Sequence, residues 1–501
     1  MGLPSLDALL AEGSLAGRAG DFDHAIACFR AVLKQSPQHL GAMMFLSKAC
    51  GLSFRYAEAK LWLQKALRLA PQNERLLQMA AQNYLEWDRP EGALPLLRRA
   101  AENHASSVGA WLQLGRTLER ANQVVEAREA AAQATALSPR HPEVLWLLGR
   151  LAQREGDFSI AQSRLREALE QNPDPQVAAE IGYALASACD SAGDFDQAWA
   201  AARQAKELQR VESAKLCEPA EAWRAEVECF PDLKPILESE RAAAAPTQVT
   251  ILCGYPRSGT TLLGQMIAGH PRVNYGDEVL AAARVLRRGE NLTDPARPDW
   301  FLNTNSLQRA ALRREYQRCF EAQFDRRFDW SRPGLIDKNP AVTRSLPALL
   351  SILPGLKALF PLRDPRDVAI SCYLRPFPVN AFTAHCNRLD TLVSHLRANY
   401  EVWKAVCAQL PLAHLEVRYE HVVVSPTETN RAVCEFLGLD PATLPEDHRP
   451  SAARRFIHSP TYAEVLQPLH KRAVGRWQAY AEHLGSQLDS LHQLAREQGY
   501  D

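Results

Sequence analysis

The chain has 501 residues, which is longer than one hydrophobic core usually organises, so two or three domains are expected. Hydrophobic residues make up 46% of it and charged residues 23%, which excludes an intrinsically disordered chain. The 58 basic and 58 acidic side chains cancel, which argues against a general attraction to nucleic acid or to an anionic membrane.

The cysteines and the first residues bear on the cellular compartment. The 11 cysteines are scattered without a C-x-x-C pair, so neither a zinc site nor a disulfide framework is predicted. The opening stretch, MGLPSLDALLAEG, lacks the basic segment of a secretory signal. No apolar run approaches the ~20 residues that cross a bilayer. We therefore expect a cytoplasmic protein without a membrane span.

The first half of the chain repeats every 34 residues, the separation of Pro37 and Pro71. Proline occupies four of five positions spaced by this period, and alanine occupies the third position: Pro37, Pro71, Ala105, Pro139 and Pro173. An alanine stands twelve residues before each of these positions: Ala25, Ala59, Ala93, Ala127 and Ala161. Small residues at a fixed place let two helices approach closely, and a proline ends the second helix. The period therefore predicts an array of helical hairpins.

This array resembles the tetratricopeptide repeat. The period matches, and WLQLG at 111–115 and LWLLG at 145–149 supply the first-helix pattern of aromatic, leucine and glycine. The resemblance implies a helical solenoid of five to six repeats over residues 1–210, whose concave face usually binds a protein or peptide. Alternatively, the array packs only on the second half or on another copy of the chain, as in a homodimer. Residues 211–246 are interpreted as a connector with one helix.

The second half begins with a strand, a glycine-containing loop and a helix. QVTILC is apolar and β-branched, which suits a buried strand, and GYPRSGTT at 254–261 turns the chain into a helix. Backbone N–H groups of such a loop and helix start converge on an anion. Thr260 stands where a nucleotide triphosphatase carries lysine, and Arg257 lies inside the loop. The loop is therefore predicted to bind a ligand that has no γ-phosphate.

A second strand, loop and helix is predicted at 358–373, in ALFPLRDPRDVAISCY. Arg363 ends the strand, and Ser371 follows eight residues later, two turns into the helix. These two side chains are predicted to hold a second phosphate, separate from the one in the glycine-containing loop. A donor with a 5′-phosphosulfate and a 3′-phosphate would supply a group for each place.

Several segments together resemble the sulfotransferase family. They are YPRSGTT, the Arg363 and Ser371 pair, VRYEHVVVSP at 417–426 and QPLHKRAVGRWQAY at 467–480. YGDEVLAAARV and IDKNPA further resemble the protein-tyrosine sulfotransferase branch and its bacterial relatives. The resemblance implies a three-layer α/β/α domain with a mostly parallel sheet over residues 247–501. It also implies 3′-phosphoadenosine 5′-phosphosulfate as the sulfuryl donor, an acceptor hydroxyl, and no metal.

The same resemblance carries over residue roles. It places the general base on Glu278, with Asp277 as the competitor for that role. It assigns catalytic roles as stabilisers of charge to Arg257 and Lys338. The donor contacts that it implies are Pro256, Arg257, Ser258, Gly259, Thr260, Thr261, Arg363, Ser371, Tyr419, Thr461 and Arg476. No motif places the histidine base of the cytosolic branch, and His395 is interpreted as structural.

The sequence leaves alternatives open. The acceptor hydroxyl belongs to a protein tyrosine held by the repeats, a sugar, a lipid headgroup or a small molecule. A P-loop kinase is the first rival, with Asp364 as its metal-binding aspartate, and the missing lysine argues against it. An adaptor that has lost activity is the second, and the full set of motifs argues against it. Because every donor motif lies beyond residue 248, a chain that begins near residue 215 is expected to keep donor binding.

Overall fold

The structure, a computed structural model, describes residues 4–228, 233–243, 247–292, 299–457 and 462–501. The chain separates into two compact units. Unit 1 comprises Met1–Leu151 with Arg318–Arg326, and unit 2 comprises Ala152–Gln317 with Arg327–Asp501. Within the described part of the chain, none of the helices combines the length and the apolar character of a membrane span.

Unit 1 is made of helical hairpins. Its helices are α1 (Leu6–Arg18), α2 (Phe22–Gln35), α3 (Leu40–Leu52), α4 (Tyr56–Leu69), α5 (Glu74–Glu86), α6 (Pro90–Asn103), α7 (Val108–Arg120), α8 (Val124–Leu137) and α9 (Pro142–Glu155), the last of which runs past the unit boundary. Each odd-numbered helix from α1 to α7 packs on the one after it. Polar side chains that accept a backbone N–H start several of them, as Ser5 does for α1 and Asn73 for α5.

The positions that repeat along the sequence form the interior of the hairpins. The first column of alanines is fully buried: Ala25, Ala59, Ala93, Ala127 and Ala161. Gly115 lies so close to α9 that an added Cβ would stand 2.7 Å from a methyl group of Leu147. A residue without a side chain is therefore needed there. The structure confirms the predicted helical hairpins and gives the physical reason for their small residues.

Three further helices continue the hairpin pattern within unit 2. They are α10 (Phe158–Glu170), α11 (Pro175–Ser191) and α12 (Phe195–Leu216). The boundary between the compact units therefore falls before the predicted end of the repeats at residue 210. Two helices follow, α13 (Ala220–Glu228) and α14 (Lys234–Ala243). The sequence predicted one helix in the connector, which is α13, whereas α14 was not predicted.

A parallel sheet of five strands forms the centre of unit 2. The strands are β1 (Val249–Leu252), β2 (Asn274–Asp277), β3 (Leu335–Lys338), β4 (Lys357–Leu362) and β5 (Ala413–Arg418). Their order in space is β2-β3-β1-β4-β5. The chain passes from β1 to β2 at one edge, returns to place β3 between them, and then adds β4 and β5 on the other side of β1. Open parallel sheets bind ligands at the carboxyl ends of their strands, where the strand order reverses. Here that place lies between β1 and β4.

Helices cover both faces of the sheet. The remaining helices are α15 (Thr260–Ile267), α16 (Ala281–Leu292), α17 (Ser306–Phe324), α18 (Leu346–Ile352), α19 (Pro365–Tyr373), α20 (Leu389–Gln409), α21 (Tyr419–Val424), α22 (Pro426–Leu437), α23 (Arg449–Ala452), α24 (Tyr462–Val465), α25 (Ala481–Leu484) and α26 (Gln487–Glu497). Leu359 belongs to a core formed with α15 and α22. The next residue, Phe360, points to the opposite face and stacks on Trp403 of α20, with ring centroids 4.1 Å apart. This arrangement confirms the predicted α/β/α domain with its parallel sheet.

The missed helix α14 is held by buried ion pairs. Glu240 of α14 is 2% exposed, and its carboxylate pairs with Arg309 and Arg313 of α17 at 3.0 and 2.6 Å. Buried charges are tolerated when they are paired and hydrogen-bonded in this way. The contact joins segments about 70 positions apart. A local hydrophobic pattern therefore gave no signal for this helix.

Candidate active site

Most of the predicted site residues lie at one edge of the sheet, because the carboxyl ends of parallel strands lie on the same side. The groups that end or follow the strands, from β1 to β5, are the loop 254–261, Glu278, Lys338, Arg363 and Tyr419. Lys338 stands in register with Asp277 on β2 and with Leu252 on β1. Residues far apart in the sequence are thus gathered where this class of sheet binds ligands.

The loop 254–261 has a backbone conformation that few residues adopt. Gly254 and Gly259 have φ angles of 143° and 101°. A Cβ on Gly259 would stand 2.7 Å from the ring of Tyr419, so glycine is required there by conformation and by space. Arg257 also has a positive φ, 71°, although it is not a glycine. Strained residues of this kind concentrate at functional sites.

The loop ends at the amino terminus of α15, which starts at Thr260. Gly259 precedes this helix and offers no side-chain cap, so the first N–H groups are left for another partner. Such a helix start binds anions well. Inside the loop, Ser258 donates its N–H and its hydroxyl to the carbonyl of Tyr255, at 3.2 and 2.7 Å, and so closes the turn.

The loop arginine contacts the predicted clamp for the 3′-phosphate. Arg257 Nε donates to the hydroxyl of Ser371 on α19 at 3.0 Å. Arg363 donates to the carbonyl of Arg257 at 3.0 Å, and its guanidinium lies 4.6 Å from the ring centroid of Tyr419. Withdrawal from solvent lowers the pKa of Arg257 to about 10, so its guanidinium is still charged at neutral pH. The structure brings the two predicted anion-binding elements together.

The tryptophan-containing segment near the carboxyl terminus is tied to the same place. Arg363 donates to the carbonyl of Ala473 at 2.6 Å. Asp367 of α19 accepts the backbone N–H groups of Gly475 and Trp477, both at 2.8 Å. Burial raises the pKa of Asp367 to about 6. These contacts place the segment beside Arg363, which together with Arg257 forms an arginine cluster.

Lys338 lies between two carboxylates. Its Nζ is 3.0 Å from Asp277 Oδ1 and 2.5 Å from Glu278 Oε1. Burial by itself would lower the pKa of Lys338, but the two carboxylates outweigh burial and raise it. Asp277 is buried and also accepts the hydroxyl of Tyr275 at 3.4 Å, whereas 45% of the Glu278 side chain is exposed. Of the two carboxylates, Glu278 is the one open to an incoming molecule.

The backbone of Glu278 is held in an unusual conformation. Its φ is 58°, in the left-handed region that side-chain-bearing residues rarely adopt. Its N–H donates to the carbonyl of Lys338 at 2.8 Å, which extends the pairing of β2 with β3 by one residue. Glu278 and Arg257, two of the three residues predicted to act in catalysis, thus both have strained backbones.

Comparisons with known proteins bear directly on this site. Residues 250–443 match a family model described as the sulfotransferase family. The carboxyl-terminal half of the chain contains a sulfotransferase domain. Residues 10–74, 84–151 and 121–180 match models described as the tetratricopeptide repeat. The chain therefore joins tetratricopeptide repeats to a sulfotransferase domain, as the resemblances implied.

Relatives of this chain are found for either half and for both together. An uncharacterized protein of Aquifex aeolicus is 22% identical over 417 residues, which are 80% of this chain and 52% of the relative. Protein-tyrosine sulfotransferase 2 of Gallus gallus is 26% identical over 230 residues, 45% of this chain and 61% of the relative. A TPR repeat-containing protein of Pseudomonas aeruginosa is 29% identical over 183 residues, 35% of this chain and 30% of the relative. This chain spans less than two thirds of each of these relatives.

Two predicted donor contacts of the sulfotransferase domain stand apart from the others. Thr461 lies outside the described residues. Arg476 pairs with Asp190 of α11, and Asp190 also accepts the hydroxyl of Tyr480 at 2.6 Å. Burial lowers the pKa of Arg476. Arg476 therefore has a partner within the protein, and its contact with the donor stays a prediction.

Arg375 and Glu464 were not predicted from the sequence. Arg375 lies two residues beyond the end of α19, donates to the hydroxyl of Ser187 at 2.6 Å and pairs with the carboxylate of Glu464. Burial would raise the pKa of Glu464, but Arg375 and then Arg257 outweigh burial and lower it. Arg375 therefore extends the arginine cluster. No helical period signalled this residue, because Arg375 lies beyond the end of α19 and is placed by its contacts with Ser187 and Glu464.

A second missed group is Asp337, the residue before Lys338. Asp337 is 0% exposed, and one of its oxygens accepts the hydroxyl of Tyr316 on α17 at 2.9 Å. Burial raises the pKa of Asp337 to about 7, against an ordinary value of 3.8. At a pH between 3.8 and about 7, the carboxyl of Asp337 is protonated in the folded chain and ionised in the unfolded chain. Stability contributed by this carboxyl is therefore present at low pH and is lost as the pH rises toward 7.

Asp337→Asn should remove this dependence on pH. We expect the free energy of unfolding of the variant, relative to the parent, to increase by about 2–3 kcal/mol between pH 5 and pH 8. The amide still accepts the hydroxyl of Tyr316. Urea unfolding of both proteins at the two pH values measures the change. A difference between variant and parent that stays constant with pH would show that Asp337 titrates normally.

Proposed function

We propose that the sulfotransferase domain transfers a sulfuryl group from 3′-phosphoadenosine 5′-phosphosulfate to an acceptor hydroxyl. The observation that carries this proposal is the contact between the loop after β1 and the Arg363–Ser371 pair after β4, made through Arg257. Two neighbouring anion-binding elements suit a donor with phosphate groups at both its 5′ and 3′ positions. A nucleoside triphosphate carries all of its phosphates at one end.

The loop and the arginines bind and polarise the donor in this proposal. The uncapped start of α15 binds the 5′-phosphosulfate, and Arg363 with Ser371 binds the 3′-phosphate. Arg257 and Lys338 stabilise negative charge as it develops on the leaving phosphate oxygen. The raised pKa of Lys338 supports this role, because its buried ammonium keeps its charge at neutral pH.

Glu278 is the general base in this proposal. The acceptor oxygen forms a bond to sulfur while the bond from sulfur to the bridging phosphate oxygen breaks. The hydroxyl proton passes to Glu278, and adenosine 3′,5′-bisphosphate leaves. The exposure of Glu278 beside Lys338 supports this assignment, since a base must reach the proton that it accepts. Asp277 is the weaker candidate, because it is buried and hydrogen-bonded to Tyr275.

Arg363→Ala tests the donor. We expect it to weaken binding of adenosine 3′,5′-bisphosphate by about 1.5–3 kcal/mol, the contribution of a hydrogen bond to a charged group. Binding of adenosine 5′-phosphate, which lacks the 3′ group, should change little. Calorimetric titration with both ligands measures the difference. Arg388→Ala is the matched control, because Arg388 is exposed and pairs with Asp390. Equal losses for the two ligands would remove the 3′-phosphate role of Arg363.

Turnover should persist in excess EDTA. The loop has Thr260 in place of the lysine, and the proposed donor offers no β,γ-phosphate pair that would chelate Mg²⁺. In the kinase alternative, Asp364 would bind the metal. In the structure its carboxylate accepts hydrogen bonds from the guanidinium of Arg366 at 2.7 and 2.9 Å. Sulfuryl transfer is measured with and without the chelator. A strict requirement for Mg²⁺ would favour the kinase alternative.

We propose a protein tyrosine as the acceptor and the tetratricopeptide repeats as the surface that binds the protein carrying it. Relatives described as protein-tyrosine sulfotransferases support the first part, and the usual binding of peptides by such repeats supports the second. Labelled donor incubated with tyrosine peptides, matched phenylalanine peptides, sugars and phenols tests the acceptor. Transfer of label to carbohydrate or lipid alone would show that tyrosine is not the acceptor. Transfer to none of the acceptors would support the inactive-adaptor alternative.

A further inference from the structure

The glycine-containing loop is hydrogen-bonded on its buried side to a short 3₁₀ helix, Ala384–Asn387. The hydroxyl of Tyr255, the second residue of the loop, lies 2.6 Å from Nε2 of His385. Tyr255 is 0% exposed and His385 is 1% exposed. Water does not compete for such a bond, and loss of one partner leaves the other buried and unsatisfied.

Tyr255 connects this buried contact to the anion-binding part of the loop. Its carbonyl accepts both hydrogen bonds of Ser258, which close the turn before α15. The next carbonyl, that of Pro256, accepts the thiol of Cys372 at 3.4 Å. A displaced Tyr255 would therefore shift the turn and, with it, the first N–H groups of α15.

The 3₁₀ helix is fixed in turn to α12. Lys206 donates to the carbonyl of Cys386 at 2.8 Å, and the side chain of Asn387 donates to the carbonyl of Lys206 at 3.0 Å. Lys206 is 4% exposed, and burial lowers its pKa to about 8. Its ammonium also lies 5.4 and 5.1 Å from the ring centroids of Tyr183 and Tyr373. This buried lysine has no part in the proposed reaction, and its contacts hold the 3₁₀ helix in place.

The ring of His385 is held by packing. It stacks on His395 with centroids 4.4 Å and planes 7° apart. The two ring nitrogens of His395 lie 2.8 Å from the carbonyl oxygens of Thr391 and Glu218, so this second ring is fixed too. Trp223 meets both imidazoles edge-on. Nδ1 of His385 has no hydrogen-bond partner among the described residues, so Nε2 carries the polar contact of this ring.

We propose that His385 is a positioning residue for the glycine-containing loop and acts through the hydroxyl of Tyr255. His385 hydrogen-bonds to the hydroxyl of Tyr255, and the carbonyl of Tyr255 accepts the hydrogen bonds that close the turn. This turn fixes the position of the first residues of α15. Because Lys206 anchors the 3₁₀ helix that carries His385, the helical hairpin of α11 and α12 supports the donor site. The effect on donor affinity rests on the proposed function, whereas the effect on the loop does not.

Two substitutions of His385 separate this role from simple packing. In His385→Gln, the terminal amide takes the place of Nε2 and still reaches the hydroxyl of Tyr255. In His385→Asn, the amide takes the place of Nδ1 and does not reach it. Both variants lose the ring and its stacking. The full chain is used for each variant, for Tyr255→Phe, and for Tyr255→Phe combined with His385→Asn.

Two measurements are made on each protein. The first is hydrogen exchange of the amides in 254–261 without ligand, and the second is the affinity for adenosine 3′,5′-bisphosphate. His385→Asn and Tyr255→Phe should each speed exchange and weaken affinity about fivefold to tenfold, the effect of losing one buried hydrogen bond. His385→Gln should stay within about twofold of the parent, and the double variant should match the single ones, since they remove the same bond.

Two outcomes overturn the positioning role. The first is an equal rate of amide exchange in His385→Gln and His385→Asn. The second is a double variant whose loss of affinity is the product of the losses in the two single variants. Exchange is read without ligand, so it reports on the loop whatever the donor proves to be. A parent chain that fails to bind adenosine 3′,5′-bisphosphate would refute the proposed donor, and the exchange data would still support or overturn the role of His385.

Discussion

Glu278→Gln is expected to lower turnover by about two orders of magnitude or more, while the affinity for adenosine 3′,5′-bisphosphate changes little. A glutamine keeps the shape and the contact with Lys338 but cannot accept the proton of an acceptor hydroxyl. Donor binding needs no carboxylate at this position, so turnover should fall while the affinity for the bisphosphate is kept. Single-turnover transfer and equilibrium binding on the same preparation provide both values.

Asp277→Asn is the matched control for that result. Asp277 lies next to Glu278 and contacts the same ammonium, that of Lys338, but its side chain is buried. We expect a milder loss of turnover, because Glu278 still pairs with Lys338 and still faces solvent. A large loss in the Asp277 variant with near-normal turnover of the Glu278 variant would transfer the role of base to Asp277. Normal turnover in both would exclude each carboxylate as the base.

Asp190→Ala is expected to destabilise unit 2 by roughly 3 kcal/mol, because removing one partner of a buried ion pair leaves the other charge uncompensated. Asp190 pairs with Arg476 and accepts the hydroxyl of Tyr480. Urea unfolding with and without adenosine 3′,5′-bisphosphate measures the loss. The control is Asp196→Ala on α12, whose carboxylate pairs with His483 but is 89% exposed. An exposed pair of that kind contributes about 0–1 kcal/mol. Similar losses for the two variants would contradict a supporting role for Asp190.

The same contacts lead to a revised expectation for truncation. The positions of the donor motifs beyond residue 248 predict that a chain beginning near residue 215 keeps donor binding. Such a chain loses Asp190, Lys206 and Trp199, whose indole stacks on Tyr373 at 4.2 Å. These partners belong to the same compact unit as the sheet. We now expect the truncated chain to fold poorly and to bind the bisphosphate weakly.

Local spacing predicted much of this fold. The 34-residue period identified the helical hairpins, because each hairpin buries its small residues at the same positions. A buried strand followed by Gly254 and Gly259 identified the loop, because only glycine adopts those backbone angles easily. The spacing of Arg363 and Ser371 predicted a second anion-binding element, and the structure places both residues in contact with the loop through Arg257.

The elements that sequence reasoning missed depend on contacts between distant segments. Helix α14 is held by the ion pairs of Glu240, and Arg375 gains its place in the arginine cluster through contacts with Ser187 and Glu464. None of these pairings repeats with a helical or strand period, so a pattern along the chain does not reveal them.

The sequence by itself determined the repeats, the glycine-containing loop between β1 and α15 and the resemblance of the second half to the sulfotransferase family, because those features are encoded by residue types at short, regular spacings. Tertiary structure alone decided that the side chain of Glu278 is exposed and that of Asp277 is buried, since neighbouring residues at the end of a strand point in different directions. It also decided that α11 and α12 contact the segments 384–387 and 476–480. The contacts of Lys206 with Cys386 and of Asp190 with Tyr480 join positions 180 and 290 residues apart, and only the folded chain brings such positions together.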